Sequence, residues 1–588
     1  MKKIILSLLF IIVSILAASG QTFNWAYSAG SQYYPDMGQV IRVDSQGNTY
    51  VSGFFNGTVQ FDPNSDDYTF TAPNPPFGRE YFLEKFDAGG NFLWVKVFND
   101  SGAFSDAVFE IDSQDNIYFS STFSGTVDIN PGDGQDLRTT YANSNAFIIK
   151  LNSNGDYIYG KTFEFYNDAY VTSTAITIDS AGDIVLAGEF YGIVDFDFSL
   201  AEKIIVGTQY FANNYIMKMS SDGEFIWVKN FTEAFFRTIK TDSQNNIIAG
   251  GGQRGAVDMN PGVGIFMLDS HNYNTVNLFV LKLDTDGNFA WVKSAQDRSD
   301  PTEINTYYDE AITSVAIDNE DNIYFTGSFM NFIDFSSGGV NHVLETQNDI
   351  YDSNAFLGKY NAEGDLLWIK LMEGNNTTHS ASNSSGSSLT NVLTIANDGS
   401  LYHGFTFTGT YNYTINGVAN TVTNNMYGIA FMVVDKNNGN LESIYYTTST
   451  ESNNLHLWDM STHDNYLYAT GFFTDTFTLN EAITLTSLEY QPDVFAIKFS
   501  PVTLGNESVV KSENMVYPNP AKDVLTINTS AFPLQHVSIF DVAGKTIKEI
   551  KVNNVDLTTV DVSDLSKGIY LVKLTSNKAT TVKKIIIK

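Results

Sequence analysis

The chain has 588 residues, of which 43% are hydrophobic and 14% aromatic, and it contains no cysteine. Its 66 acidic residues against 33 basic ones give a formal charge of −33. A chain this acidic repels nucleic acid and anionic membrane surfaces, and without cysteine it has no disulfide, thiolate zinc site or cysteine nucleophile.

Lys2 and Lys3 open the sequence, Ile4 to Ala17 form an apolar run, and Ala18-Ser19-Gly20 puts small residues before Gln21. This order predicts a signal peptide over residues 1–20, since the apolar run is short for a membrane span. No later run is apolar for long enough to cross a bilayer, so the mature chain is expected to carry no transmembrane segment. Next comes a lone apolar strand, Thr22-Phe23-Asn24-Trp25-Ala26-Tyr27, with no partner beside it in sequence.

From Val40 a hairpin pattern begins and then recurs. VIRVDSQGNTYVSGFF is followed by VFEIDSQDNIYFSSTF at Val108, AITIDSAGDIVLAGEF at Ala175, TIKTDSQNNIIAGGGQ at Thr238 and AITSVAIDNEDNIYFTGSF at Ala311. Weaker copies begin at Val392 and Asp459. Each is an apolar run, a turn rich in Asp, Asn and Gly, and a second β-branched or aromatic run. Those turn residues tolerate the positive φ of a tight hairpin. A second pattern follows each hairpin: FLEKFDAGGNFLWVK from Phe82, FIIKLNSNGDYIYGK from Phe147, YIMKMSSDGEFIWVK from Tyr215, FVLKLDTDGNFAWVK from Phe279 and FLGKYNAEGDLLWIK from Phe356. FMVVDKNNGNLESIY from Phe431 is a degenerate copy.

Four strands per repeat predict β-propeller blades. The seventh hairpin is followed by a third strand at 494–499 and no fourth. The Trp25 strand matches the missing element, as Trp25 falls in the column of Trp94, Trp227, Trp291 and Trp368. The expected fold is therefore all-β: a seven-bladed β-propeller over 21–500 whose last blade takes its outer strand from the N-terminus. These repeats resemble the seven-bladed propeller repeats of exported bacterial proteins, a resemblance covering about residues 22–500 that implies a fold and no activity.

Residues 501–513 carry no repeat and read as a linker. From 514 the composition changes to ten lysines against six acids, so this segment is net positive while the rest is strongly acidic. Alternating runs with polar turns predict a small antiparallel β-sandwich over 514–588. YPNPAKDVLTI (517–527), VSIFDVAGKTI (537–547), DVSDLSKGIYLVKL (561–574) and KKIIIK (583–588) resemble, in order and spacing, the type A C-terminal sorting domain of type IX secretion cargo. The matched positions are Tyr517, Pro518, Asn519, Pro520, Asp541, Gly544, Lys545, Gly568, Tyr570, Lys583 and Lys584. That Bacteroidetes-type family implies Sec export to the periplasm, recognition by the type IX translocon and its sorting machinery, and release or display at the cell surface once the domain is removed.

The turns within each strand pair are short in nearly every repeat, whereas second-to-third and fourth-to-first connections are long and irregular, as at 62–81, 130–145, 294–310 and 373–389. Both long sets emerge on one propeller face, which is the expected binding surface. One acidic column repeats there: Asp62, Asp128, Asp195, Asp197, Asp258 and Asp334 end equivalent strands. They are candidate calcium ligands, but successive blades would spread them around a ring, where a calcium ion needs six to eight oxygens on one point. Capping of turns is the expected role, and no cofactor is expected. The turns such as LDTDGNFAW (283–291) lack the order of an Asp-box and the terminal Glu of an EF-hand loop. The seven histidines, at 271, 342, 379, 403, 456, 463 and 536, show no metal or triad spacing, and no G-x-S-x-G elbow or P-loop is present, so no catalytic residue is assigned. Tyr166, Tyr307 and Tyr308 are loop aromatics suited to stacking on sugars or peptides. The expected function is a non-enzymatic glycan- or protein-binding module. The alternative is a surface polysaccharide hydrolase or lyase with carboxylates on the long-loop face, which a glycosidase would hold about 5–9.5 Å apart.

Overall fold

The computed structural model describes residues 22–500 and 514–588, apart from positions 33, 74–77, 99–104, 209–212, 270–275, 298–310, 331, 336–341, 346–352, 373, 376–390, 416, 448–453, 481–482, 489–490, 518–519, 530–533, 542–544, 556 and 577–579. The signal-peptide and linker expectations, and Tyr307, Tyr308, Pro518, Asn519 and Gly544, lie outside the described residues. The described chain is all-β apart from a single short 3-10 turn, Asp66–Tyr68, and it divides into two bodies, Thr22–Ser500 and the residues after Ser500.

The first body consists of four-stranded antiparallel meanders. Unit one is Met37–Val43, Thr49–Phe55, Glu80–Phe86 and Phe92–Phe98, hydrogen-bonded in that order. Later units repeat it, for example Ala311–Ile317, Ile323–Met330, Ser353–Tyr360 and Leu366–Met372 in unit five. Units two and three are joined into one sheet by the extra strand Glu164–Val171. Unit seven has Leu455–His463, Tyr466–Phe473 and Asp493–Ser500 from its own repeat, and its fourth strand is Thr22–Ala29. The N-terminal strand runs antiparallel to Asp493–Ser500, with Trp25 opposite Lys498 and Tyr27 opposite Ala496.

Seven apolar cores lie between successive units rather than within them, because a single antiparallel sheet has two faces and each must be covered. The seven first strands neighbour one another in order, and the first strand of unit seven also neighbours that of unit one. One polar contact repeats at these interfaces. The third-strand lysine of one unit donates to a carbonyl in the turn between the third and fourth strands of the next: Lys85 to Ser153 (2.9 Å), Lys150 to Ser221 (3.0 Å), Lys282 to Ala362 (3.3 Å) and Lys359 to Lys436 (3.1 Å). Lys498 of unit seven makes the same bond to Ala88 of unit one (2.9 Å). The glycine of that turn sits against the preceding unit's fourth-strand aromatic. A Cβ on Gly90, which has φ +84°, would fall 2.5 Å from the Trp25 ring, so both handedness and space demand glycine there.

One expectation needs correcting. The second-to-third connections are not irregular loops but small hairpins, such as Thr58–Gln60 with Thr69–Thr71 and Ala256–Asp258 with Met267–Asp269. Cross-strand threonines pin them, with Oγ1 atoms 2.8 Å apart for Thr58 and Thr71 and 2.9 Å for Thr126 and Thr139. The alternation in GTVQF and GTVDI is a two-residue period too short to stand out beside the longer strands.

The second body packs the sheet Asn514–Tyr517, Val524–Thr529, Leu557–Asp561 against the sheet Thr546–Val555, Leu534–Asp541, Gly568–Ser576, Thr580–Ile587. Leu525, Ile527, Val537, Ile539, Val572 and Ile585 fill the space between them.

Trp25 is buried among Tyr27, Phe86 and Tyr468, but its indole nitrogen has no hydrogen-bond partner, whereas Trp227, Trp291 and Trp368 each donate to the next turn. Trp25→Ala should therefore cost about 3–5 kcal/mol, and Trp25→Phe much less, because the site is held by packing and not by the N–H. Urea unfolding of the mature chain measures both.

Candidate functional site

On the short-turn side the aspartates that open four of the hairpin turns are employed within those turns. Asp44 accepts from the Gln46 and Asn48 amides and the Asn48 side chain, and Asp112, Asp242 and Asp318 repeat the arrangement. These are turn boxes rather than ligand groups. Buried lysines of the same units neutralise some of them, as with Lys218 against Asp179 at 2.7 Å and Lys282 against Asp242 at 2.9 Å.

Where the first strands converge, the structure brings together charges that no sequence motif announced. The Arg42 guanidinium straddles Glu110, with Nε 3.1 Å from each carboxylate oxygen, and its Nη1 reaches Asp459 at 2.5 Å. Lys240, from unit four, approaches Glu110 at 3.5 Å. Burial alone would raise the Glu110 carboxyl, but Arg42 and Lys240 hold it below the usual range. The network links units one, two, four and seven.

The candidate calcium ligands are placed separately. Asp128 accepts from the Asn130 and Asp136 amides, Asp195 from those of Asp197 and Lys203, and Asp258 from those of Asn260 and Phe266. Asp62 and Asp197 each cap the amide two residues on, and Asp334 is buried at the end of Phe332–Asp334. Each of the five accepting carboxylates therefore closes its own small hairpin or turn. Among the described residues no group of three or more His, Asp or Glu side chains is arranged to hold a metal ion.

Of the described histidines, His403 is fully buried, with Nε2 3.2 Å from Thr326 Oγ1 and Nδ1 without a partner. Burial pushes it down to about 3, so it is neutral in the folded state. It stands in the column of Phe119 and Phe325 and serves as core. His456 is sandwiched at 4.5 Å between Tyr427 and Phe472.

Among the described residues of the long-loop side, exposed Tyr166 stands beside a half-buried tyrosine pair. The extra strand Glu164–Val171 pairs with the end of Ile184–Asp195, setting Tyr170 opposite Tyr191 and Tyr166 opposite Ile193. The Tyr170 and Tyr191 rings are nearly parallel, 11° apart in plane with centroids at 5.9 Å. Tyr170 donates to the Glu189 carboxylate at 2.5 Å. Tyr166 is 47% exposed, and the nearby Glu202 raises its phenol above the ordinary value. Tyr166 was legible as a loop tyrosine; Tyr170, Tyr191 and Glu189 gather beside it only through strand pairing.

In the second body several of the matched sorting positions lie in turns and strand pairs. Asp541 accepts from the Lys545 amide (2.9 Å), Tyr570 is buried and donates to the Ser566 carbonyl (2.9 Å), and Gly568 pairs with Ile587. Lys583 and Lys584 lie on the last strand opposite Val572 and Leu571, while Tyr517 and Pro520 are exposed. Ala521, beside Pro520, bonds to that strand through its N–H to Ile586 (2.8 Å) and its carbonyl from Lys588 (2.9 Å), so the first and last motifs meet in space.

Comparison with known proteins agrees with this division. Residues 515–588 match the secretion system C-terminal sorting domain family. They form a type IX sorting domain, and the protein is exported to the cell surface or secreted. The chain is 22% identical over 227 residues to an uncharacterized WD repeat-containing protein of Acanthamoeba polyphaga mimivirus, covering 35% of this chain and 16% of that protein. It is 31% identical over 94 residues to an endo-acting ulvan lyase of Formosa agariphila, covering 16% of this chain and 18% of that enzyme. The chain thus spans less than a fifth of each of these relatives. Among solved structures it is similar to a catalytically inactive virginiamycin B lyase from Staphylococcus aureus with quinupristin, at 9% identity and a TM-score of 0.35, covering 81% of this chain and 99% of that one.

Two outcomes test the charged groups. Glu110→Gln leaves Arg42 and Lys240 partly buried with one carboxylate between them, and should cost about 2–4 kcal/mol in urea unfolding. His403 binds a proton near pH 6.5 when unfolded but only at about 3 when folded, so its contribution is full above pH 6.5 and falls as the pH drops. His403→Phe should lose about 2 kcal/mol less than the natural chain between pH 6.5 and 5.

Proposed function

We propose that residues 21–500 form a closed seven-bladed propeller, delivered outside the cell by the sorting domain, that acts as a non-enzymatic binding module for glycans. Closure is supported by the pairing of Thr22–Ala29 with Asp493–Ser500 and by the Lys498 to Ala88 bond, which repeats the contact between the other blades. Signal peptide removal before Gln21 and a linker over 501–513 complete the reading.

The observation that carries the binding role is the tyrosine group on blade three. Tyr166 and Tyr170 on the extra strand and Tyr191 on the strand it pairs with present aromatic surface, beside a carboxylate held in place by Tyr170. Sugars bind such arrangements by stacking C–H faces on rings and donating hydroxyls to a fixed acceptor. The acidic surface around it disfavours polyanions and leaves neutral or basic glycans as the ligand class.

A glycan array probed with the mature chain tests this, with Tyr166→Ala and Tyr191→Ala as controls. Each should weaken binding about two- to tenfold while leaving the unfolding midpoint unchanged, as one stacked ring is worth roughly 0.5–1.5 kcal/mol. Binding that survives both substitutions removes this site. For export, deleting 514–588 should leave a folded propeller in the periplasm, and normal surface levels of that truncated chain would overturn the sorting role.

A further inference from the structure

The strand that completes the last unit is held by a side chain whose chemistry differs from its counterparts. Units two, three, four and five begin their third-strand repeat with Asn145, Asn213, Asn277 and Asn354; unit seven begins it with Asp493. Three hydrogen bonds in the other units define what that position does. Asn145 Nδ2 donates to the Phe163 carbonyl at 2.8 Å, just past its unit's fourth strand. In unit six that position is Gly428, and Asn424 Nδ2, from four residues earlier, fills its place by donating to the Thr447 carbonyl at 3.0 Å. In unit three Asn213 Oδ1 accepts from the Thr208 amide, five residues earlier, at 3.2 Å.

Asp493 reproduces the acceptor half: Oδ2 takes the Leu488 amide, also five residues earlier, at 3.0 Å. Its other oxygen, Oδ1, occupies the place of the amide nitrogen and has no hydrogen-bond partner. Phe147 pairs with Thr162 and Phe495 with Ser28, so the carbonyl corresponding to that of Phe163 is Ala29's. The carboxyl also presses on the N-terminal segment itself, since a Cβ on Gly30 would lie 2.0 Å from Oδ1. An oxygen in that position can act as the amide does only if it carries a hydrogen.

We propose that the N-terminal strand is clasped by a proton: Asp493 works in its neutral carboxylic form as an asparagine analogue, donating toward the end of Thr22–Ala29, and its ionisation loosens that strand.

The surroundings favour the neutral form. Asp493 is 2% exposed. Asp36 faces it from the segment leading into unit one, is itself 0% exposed, and is tied to the same spot by its own N–H to the Pro492 carbonyl (2.7 Å). Asp36 accepts the amides of Ser31 and Asn56, and the two carboxyls oppose each other's ionisation. Burial raises Asp493 to about 7, and burial with Asp493 beside it does the same for Asp36 despite its two amide donors. Deeper in the seam Glu84, from unit one, faces Tyr27 of the clasped strand. It is wholly buried with neither oxygen bonded, where units two, three and four have Ile149, Met217 and Leu281, and burial pushes it well above the carboxylate range. A carboxyl raised in the folded state favours folding at low pH and withdraws that support as the pH rises from about 4 toward 7.

The test is hydrogen exchange on the mature chain at pH 5, 6, 7 and 8, corrected for intrinsic rates. Opening of Thr22–Ala29 should grow up to about tenfold per pH unit between pH 5 and 7, whereas Tyr157–Thr162, latched by Asn145, should not change. Asp493→Asn should flatten the response and protect the strand better than the natural residue at pH 8; Asp36→Asn controls for the neighbouring carboxyl. Asn145→Asp should transfer the pH response to Tyr157–Thr162. The proposal is overturned if the two strands respond to pH alike in the natural chain, or if Asp493→Asn keeps the natural slope.

Discussion

The first body depends on one repeated contact: a glycine turn of one sheet seated on an aromatic side chain of the sheet before it, with a lysine donating to that turn's carbonyl. A four-stranded antiparallel sheet cannot bury both of its faces by itself, so each unit is stable only between two others. The contact sets how those faces meet. It ties the polar turns to the apolar interior, since the lysine ammonium that reaches the carbonyl also lies over the Tyr50, Tyr118 or Tyr324 ring. When Lys498 and Trp25 make the same contact with the first unit, the interface between units seven and one repeats the others.

That equivalence is nearly complete, and its departures are informative. The inner strands repeat in backbone but not in charge: Arg42, Glu110 and Lys240 share a register position that elsewhere holds Thr177, Ala316, Thr394 and Ser461, and Asp459 stands two residues before Ser461. Placed singly on four strands, each would be a costly half-buried charge, and placed together they neutralise one another. The seam departs in the opposite sense, gathering Asp36, Glu84 and Asp493 with no cation hydrogen-bonded to them among the described residues. Such a group is tolerated only because carboxyls, unlike guanidinium groups, become neutral within the ordinary pH range.

The outer side divides the labour differently. The small hairpins beyond the second strands use aspartates to close their own turns, which removes those acids from any shared site. The extra strand Glu164–Val171 instead carries exposed Tyr166 and half-buried Tyr170, and it follows no repeat position. A scaffold held by repeated contacts can vary such connections freely, because they add little to the interfaces that hold it together.

Much of this was legible in order along the chain. The hairpin turns, the third and fourth strands, and the match of the Trp25 strand to the incomplete seventh repeat all follow from two-residue periodicity and from Asp, Asn and Gly at fixed offsets. Those signals are local, since turn chemistry and strand alternation act over a few residues. The sorting domain was legible too, through motifs whose order and spacing survive as sequence. What only the tertiary structure decided were the meetings of distant residues: Arg42 with Asp459, Tyr170 with Tyr191, and Asp493 with the end of the first strand. Asp493 looks in sequence like any polar residue opening a strand. Its character comes from a carbonyl that lies more than 460 positions away in the chain and is brought beside it by strand pairing, and no local pattern records a contact of that range.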